Sequence, residues 1–209
     1  MLTGVILAGG KNDKIKGRLK PLIPMGNTIL LFIQIKEMRK ICNEIILVTN
    51  EPRKYLPYLP SDVRVITDYY KDVGPIAGIH AALSLSKNEN IWVVGNGMPF
   101  ISFKVALIMM KHSNNTTNLA VIPTKNLQPY LLHSIWNKNA LSLIEYTIEE
   151  YKGDYTKLVC HQHIHPIYEA TLINDYKLDT SFLYTIDTTG DYKKAMDILL
   201  QRNLNFISS

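Results

Sequence analysis

Near its start the chain carries Leu7-Ala8-Gly9-Gly10, followed by Lys11, Lys14, Lys16, Arg18 and Lys20, with Asp13 as the single acid among them. Glycines let backbone amides approach an anion closely, and cations grouped beside them neutralise a polyphosphate as charge shifts during phosphoryl-type transfer. The same pattern also suits a solvated loop with ordinary surface lysines, so the loop alone does not separate the two.

A second candidate is Gly74-Pro75-Ile76-Ala77-Gly78-Ile79, shortly after Asp68. Proline sets the entry into a helix, and the small residues Ala77 and Gly78 leave room for a flat base against the backbone, unless they serve packing alone. Asp187 and Asp191, in Thr185-Ile186-Asp187-Thr188-Thr189-Gly190-Asp191, suit a turn with a helix N-cap or, for Asp187, a carboxylate aimed at phosphates. Cys160, His161, His163 and His165 place imidazoles on one face of an extended strand, as zinc would require, but the spacing is loose and no second ligand cluster accompanies it. A partly exposed polar stretch is the expectation there. Tyr69-Tyr70 suits stacking on a base or completion of a core.

The elements that must hold these residues follow from apolar periodicity. Val5 to Ala8 reads as a buried strand ending in the glycine loop, Thr28 to Arg39 as a helix, and Glu44 to Asn50 as a second strand. Val63 to Thr67 and Ile91 to Val94 are further strands, with a helix from Ala77 to Ser86 between them. Ser102 to Lys111 reads as a helix, Leu119 to Pro123 and Tyr130 to Trp136 as strands, and Leu141 to Tyr151 and Tyr155 to His161 as helices. Phe182 to Asp187 is strand-like, and Asp191 to Arg202 is a final amphipathic helix. Such alternation predicts an α/β fold with a mostly parallel, mixed central sheet between helices. The 209 residues suit one domain.

Composition narrows the partners. With 46% hydrophobic and 20% charged residues the chain is neither disordered nor fibrous. No apolar run approaches the roughly 20 residues that span a bilayer, and the apolar start lacks the basic region of a signal peptide. Cys42 and Cys160 are too far apart for a close-spaced redox or metal pair, so a cytoplasmic protein with no membrane partner is expected. A net charge of +5 suits an anionic partner. Without aromatic-basic interleaving or a recognised module, a phosphorylated small molecule is expected and nucleic acid is not.

Gly4-Val5-Ile6-Leu7-Ala8-Gly9-Gly10 with Lys20-Pro21-Leu22 resembles the start of the molybdenum cofactor guanylyltransferases and related nucleotidyltransferases. Gly74 to Ile79 is similar to that family's Gly-Pro-Leu-Ala-Gly-Ile, Gly97-Met98-Pro99-Phe100 to its Asp-Met-Pro-Phe metal segment, and Gln128-Pro129-Tyr130 to an acceptor-side Gln-Pro-Leu. Thr185 to Asp191 is placed like its late Asn-Ile-Asn-Thr-Pro-Glu-Asp. The chain also departs from the pattern. Asn12 stands for a serine, Lys14-Ile15 for Arg-Met, Gly17 supplies the loop glycine, Gly97 stands for the magnesium-binding aspartate, and Asp187 stands for an asparagine.

The resemblance implies a Rossmann-like nucleotidyltransferase fold, with the nucleotide on the N-terminal half and the acceptor on the C-terminal half. It implies GTP and molybdenum-bearing molybdopterin as substrates, Mg2+ as cofactor, and other molybdenum cofactor biosynthesis proteins as partners. Leu7, Ala8, Gly9, Gly10, Asn50, Asp68 and Gly78 would frame the nucleotide, Lys20 would be the catalytic phosphate contact, and Asp187 would replace the lost metal carboxylate. Two other readings stay open: a non-catalytic nucleotide or cofactor binder on the same fold, which Gly97 favours, and a transferase using another nucleotide or acceptor, such as CTP with a polyol phosphate.

Overall fold

A computed structural model describes residues 1–9, 14–15, 17–70, 72–113 and 118–207, with side chains through 202. Gly10, Lys11, Asn12, Asp13 and Lys16 of the expected phosphate loop lie outside the described residues.

An eight-stranded mixed sheet organises the chain. Strands β1 (Leu2–Leu7), β2 (Glu44–Val48), β3 (Val63–Ile66) and β4 (Asn90–Gly95) run parallel in the order β3-β2-β1-β4. β5 (Ala120–Lys125), β6 (Gln128–Pro129), β7 (Ser134–Asn137) and β8 (Ile164–Tyr168) extend it. β7 is antiparallel to both β4 and β5, β6 folds back on β5, and β8 runs parallel to β5. The interior parallel strands read as unbroken apolar runs because helices cover both faces.

Those helices are α1 (Leu30–Met38), α2 (Pro75–Leu85), α3 (Phe103–Ser113), α4 (Leu141–Tyr151), α5 (Tyr155–Val159), α6 (Glu169–Asn174) and α7 (Thr189–Ile207). Alternation along each strand divides the core. Ile6, Leu47, Trp92 and Val94 pack with Leu31, Ile35 and Met38 of α1 and with Val105 and Met109 of α3. Val5, Ile46, Val48, Ile91 and Val93 pack with Ile76, Ile79 and Leu83 of α2 and with Ile144 and Ile148 of α4. A third cluster seats Ile186 and Ala195 of the C-terminal segment against Ile15, Ile23, Met25 and Phe100.

At the amino ends of the parallel strands a polar network closes the sheet. The Glu44 carboxylate accepts from Thr3 Oγ1 at 2.7 Å and from the Lys87 amide at 2.8 Å, and it pairs with the Arg64 guanidinium. Burial pushes this carboxyl up. Hydrogen bonds from the Lys87 amide, Thr3 and Arg64 outweigh that and hold it below the ordinary glutamate range.

Several expectations need correction. The run Tyr130 to Trp136 is not one strand: β7 begins only at Ser134, and Tyr130 to His133, where His133 adopts a left-handed φ of 65°, form no strand. Phe182 to Asp187 forms no strand but a 3-10 turn at Ser181–Leu183 and an extended segment, which Ile186 ties to Gly97 by a backbone bond. The stretch of His161, His163 and His165 is partly exposed as expected, but it also leads into a strand the sequence did not show, β8, where Ile164 and Ile167 turn inward and the residues between them do not. α2 begins at Pro75, two residues before the expected start, as a proline at the first turn allows.

Candidate active site at the strand crossover

The chain leaves β1 for β2 and β3 on one side and returns through α2 to β4 on the other, so β1 and β4 flank the point where strand order reverses. Open α/β sheets bind ligands outside the carboxyl ends of their strands at such a point. An open cleft of about 180 Å³ lies there, and its floor is formed by Leu7, Val48 and Gly95, the last residues of β1, β2 and β4. Register fixes this arrangement, since Leu7 pairs with both Val48 and Gly95.

Five of the expected nucleotide-site residues meet in this cleft: Leu7, Ala8, Gly9, Asp68 and Gly78. Asn50 joins them indirectly, its amide Nδ2 donating to Asp68 Oδ1 at 3.0 Å. Gly74 and Pro75 line the same cleft, so the start of α2 forms one wall. Tyr69 and Tyr70 do not line it. Their rings meet edge to face at 5.4 Å, and Tyr70 rests on His80 at 5.0 Å.

Lys20 stands apart from the cleft lining. It opens the 3-10 turn Lys20–Leu22 and is 6% exposed, and its ammonium donates to Asp187 Oδ1 at 2.7 Å. Gly97 ties this pair to the cleft, because its neighbours Gly95 and Asn96 are lining residues. Its carbonyl accepts from the Ile186 amide at 2.8 Å. A Cβ at Gly97 would lie 3.1 Å from Ile186 O, 3.3 Å from Thr185 Cγ2 and 3.6 Å from Lys20 Cδ.

The two acids of the C-terminal segment divide their work. Asp191 Oδ2 accepts from the Thr188 amide and hydroxyl, both at 2.8 Å, and the Asp191 amide donates to Thr188 Oγ1 at 3.1 Å, a reciprocal cap on α7. The Thr188 hydroxyl and amide hold this carboxyl below the ordinary aspartate range. Asp187 takes no part as an acceptor in that cap. It faces Lys20, with 65% of its side chain exposed.

Sequence reasoning missed three residues. Gln34 on α1 is fully buried, and its Nε2 donates to Gly95 O at 2.8 Å and Met98 O at 3.0 Å, bracketing Asn96 and Gly97. A polar residue at a core position among Leu30, Leu31, Ile35 and Met38 was the available signal. Leu132 lines the cleft, and beside it buried His133 packs on Trp92 and Phe182 and accepts from the Ser102 amide at 3.0 Å. Burial drives the His133 pKa down to about 3, so the imidazole is neutral.

Elsewhere His112 and His165 stack at 5.3 Å, and His161 and His163 lie 5.4 Å apart. Among the described residues no group of three or more His, Cys, Asp or Glu side chains is placed to hold a metal ion. Cys42 and Cys160 are free thiols. No helix among the described residues is long and apolar enough to cross a membrane.

Comparison with known proteins agrees with this fold. The chain is 25% identical over 202 residues to a probable molybdenum cofactor guanylyltransferase of Carboxydothermus hydrogenoformans, covering 94% of this chain and 96% of that one. It is 32% identical over 159 residues to the protein of the same description from Thermococcus sibiricus, covering 74% and 77%. The fold superimposes on the crystal structure of molybdopterin-guanine dinucleotide biosynthesis protein A from Archaeoglobus fulgidus with a TM-score of 0.80 at 22% identity, covering 95% and 99%. A sequence profile spans residues 4–165, and on that match, with the cleft at the β1/β4 crossover, the chain belongs to the MobA-like NTP transferase domain family.

Proposed function

We propose that this chain transfers GMP from GTP to molybdenum-bearing molybdopterin. A terminal phosphate oxygen of the acceptor attacks the α-phosphorus of GTP, the bond from that phosphorus to the bridging oxygen breaks, and pyrophosphate leaves with the bonding electrons. The observation that carries this reading is the meeting of Leu7, Ala8, Gly9, Asp68 and Gly78 at the crossover cleft, with Lys20 held just beyond it. The names of the relatives support the acceptor and the nucleotide.

In this reading the backbone at Ala8 and Gly9 approaches the phosphates, and the base lies against the wall of Pro75 and Gly78, with the Leu7 and Val48 side chains packed against Gly78. The Asn50–Asp68 pair presents a carboxylate to the nucleoside. The buried ammonium of Lys20 meets the charge that develops on the phosphates. The β5 to β7 region and the segment before α7 flank the acceptor.

Magnesium in such sites is held by one or two carboxylates together with substrate phosphates. Asp187 supplies one exposed carboxylate beside Lys20, and Gly97 supplies none. That donor set fits an ion that arrives with the nucleotide, with Asp187 as the side chain that would hold it. When bound, the ion supplies neutralisation of triphosphate charge.

A second reading, nucleotide binding without turnover, is favoured by Gly97, which leaves the loop after β4 without a carboxylate. A first test is the thermal shift given by GTP, CTP and ATP with Mg2+. A ligand about 100-fold above its Kd stabilises by about 2.7 kcal/mol. In a chain of this length that corresponds to a Tm rise of about 5–10 °C. GTP is expected to give the largest shift. A larger shift with CTP or ATP overturns the guanine assignment, and no shift with any of them overturns nucleotide binding.

A further inference from the structure

The Lys20 ammonium is 2.7 Å from Asp187 Oδ1, and the two side chains are 7% and 65% exposed. The pair therefore offers solvent its acid and conceals its base. Asp187 is also held in place. The Ile186 amide is bonded to Gly97 O at 2.8 Å, and the Asp187 amide donates to Asp191 Oδ2 at 3.2 Å, at the cap of α7. A polyphosphate that approaches Lys20 meets this fixed carboxylate first, and the pair as a whole presents no net positive charge to it.

We infer that Asp187 determines the form in which the site accepts a nucleotide: it disfavours the metal-free polyphosphate and favours one accompanied by a divalent cation. Asp187 exchanges Lys20 for the cation, and Lys20 exchanges Asp187 for a phosphate oxygen. Each charge then keeps an opposite partner, so neither exchange leaves a buried ammonium or a carboxylate facing phosphate alone. Gly97 is part of the device, because a side chain there meets Ile186 O and Thr185 and would displace the segment that carries Asp187. The inference rests on the nucleotide-binding reading above and adds to it a discrimination between two forms of one ligand.

The test is equilibrium binding of a GTP analogue with an α,β-methylene bridge, which cannot be turned over, to the full chain in EDTA and in Mg2+. The wild type and Asp187→Asn are compared, with Asp187→Ser as a second variant and the Tm of each as a check on folding. Coupling between two ligands of one site is commonly about 5–150-fold. On that scale the wild type is expected to bind about tenfold or more tightly in Mg2+ than in EDTA. Asp187→Asn is expected to bind the metal-free analogue about tenfold more tightly than the wild type does, and to lose most of the Mg2+ dependence. Unchanged metal-free affinity in both variants, or full retention of the Mg2+ dependence, overturns the role of Asp187. Absence of binding by the wild type both in EDTA and in Mg2+ overturns the nucleotide reading itself, and the inference with it.

Discussion

The backbone of Gly97 and the backbone of Ile186 are in direct contact: the Ile186 amide donates to the Gly97 carbonyl at 2.8 Å, and a Cβ on Gly97 would lie 3.1 Å from the Ile186 carbonyl oxygen. The loop after β4, which lines the crossover cleft, and the segment that leads into α7 thus meet with no side chain between them. This contact brings Asp187 within 2.7 Å of Lys20, across 167 positions of sequence.

Filling that contact has a cost. Gly97→Ala requires the 185–187 segment to move by a few tenths of an ångström, and overpacking of this kind costs about 1–3 kcal/mol. The expected outcome is a Tm lower by several degrees together with weaker binding of Mg2+·GTP. An unchanged Tm and unchanged affinity would show that the contact is slack.

Gln34 is the second support of the same loop. Gln34→Leu keeps the apolar volume of the α1 face but takes the side-chain donor from Met98 O and leaves Gly95 O with the Met98 amide at 3.2 Å. A buried acceptor that loses its donor costs about 1–3 kcal/mol. Stability and nucleotide affinity should both fall, although Gln34 is fully buried behind the cleft and does not line it. A loss of stability with affinity intact would confine Gln34 to a structural role.

His133 gives the protein an acid-sensitive element. Its folded pKa is depressed to about 3, while an unfolded histidine titrates near 6.5. Between those values the unfolded chain binds a proton that the folded chain does not, so stability present above about pH 6.5 declines as the pH falls towards 3. His133→Asn tolerates the left-handed φ of 65° and removes the titration. The variant should be less stable at neutral pH, through lost packing on Trp92 and Phe182, and its stability should vary less between pH 6.5 and 4. Equal slopes for variant and wild type, measured by denaturant unfolding across that range, would refute the assignment.

Gly153 abuts Val73, the residue that precedes the Gly74–Pro75 wall of the cleft. It has a φ of 78°, and a Cβ there would lie 2.8 Å from Val73 O and 2.7 Å from Val73 Cγ1. Left-handed backbone costs a non-glycine residue about 1–2 kcal/mol, before any displacement of Val73. Gly153→Ala is expected to lower the Tm and weaken nucleotide binding by shifting Gly74 and Pro75, which line the cleft. Full affinity in a destabilised variant would separate Val73 from the site.

Much of the site was legible because it sits where periodicity is strong. The apolar runs of β1, β2 and β4 fix where those strands end, and their last residues form the cleft floor. Asp68 and Gly78 were marked by resemblance to the family's segments, and the structure places them just past a strand and just inside a helix. The Lys20–Asp187 pair was not, because nothing local in either segment reports a partner so distant in sequence. Gln34 was hidden by its surroundings, since a helix face reads as apolar whether or not one of its members reaches through to a loop. β8 escaped notice because only Ile164 and Ile167 of its five residues are buried, and Pro166 argues against a strand unless an edge accepts it.

The central claim is transfer, and its most direct measurement is pyrophosphate release when the full chain is given GTP, Mg2+ and molybdenum-bearing molybdopterin. The account predicts release that requires the acceptor, is largest with GTP among the nucleoside triphosphates, and is lost in Lys20→Met. Binding of GTP without any release of pyrophosphate would contradict it and leave a nucleotide-binding protein on this fold.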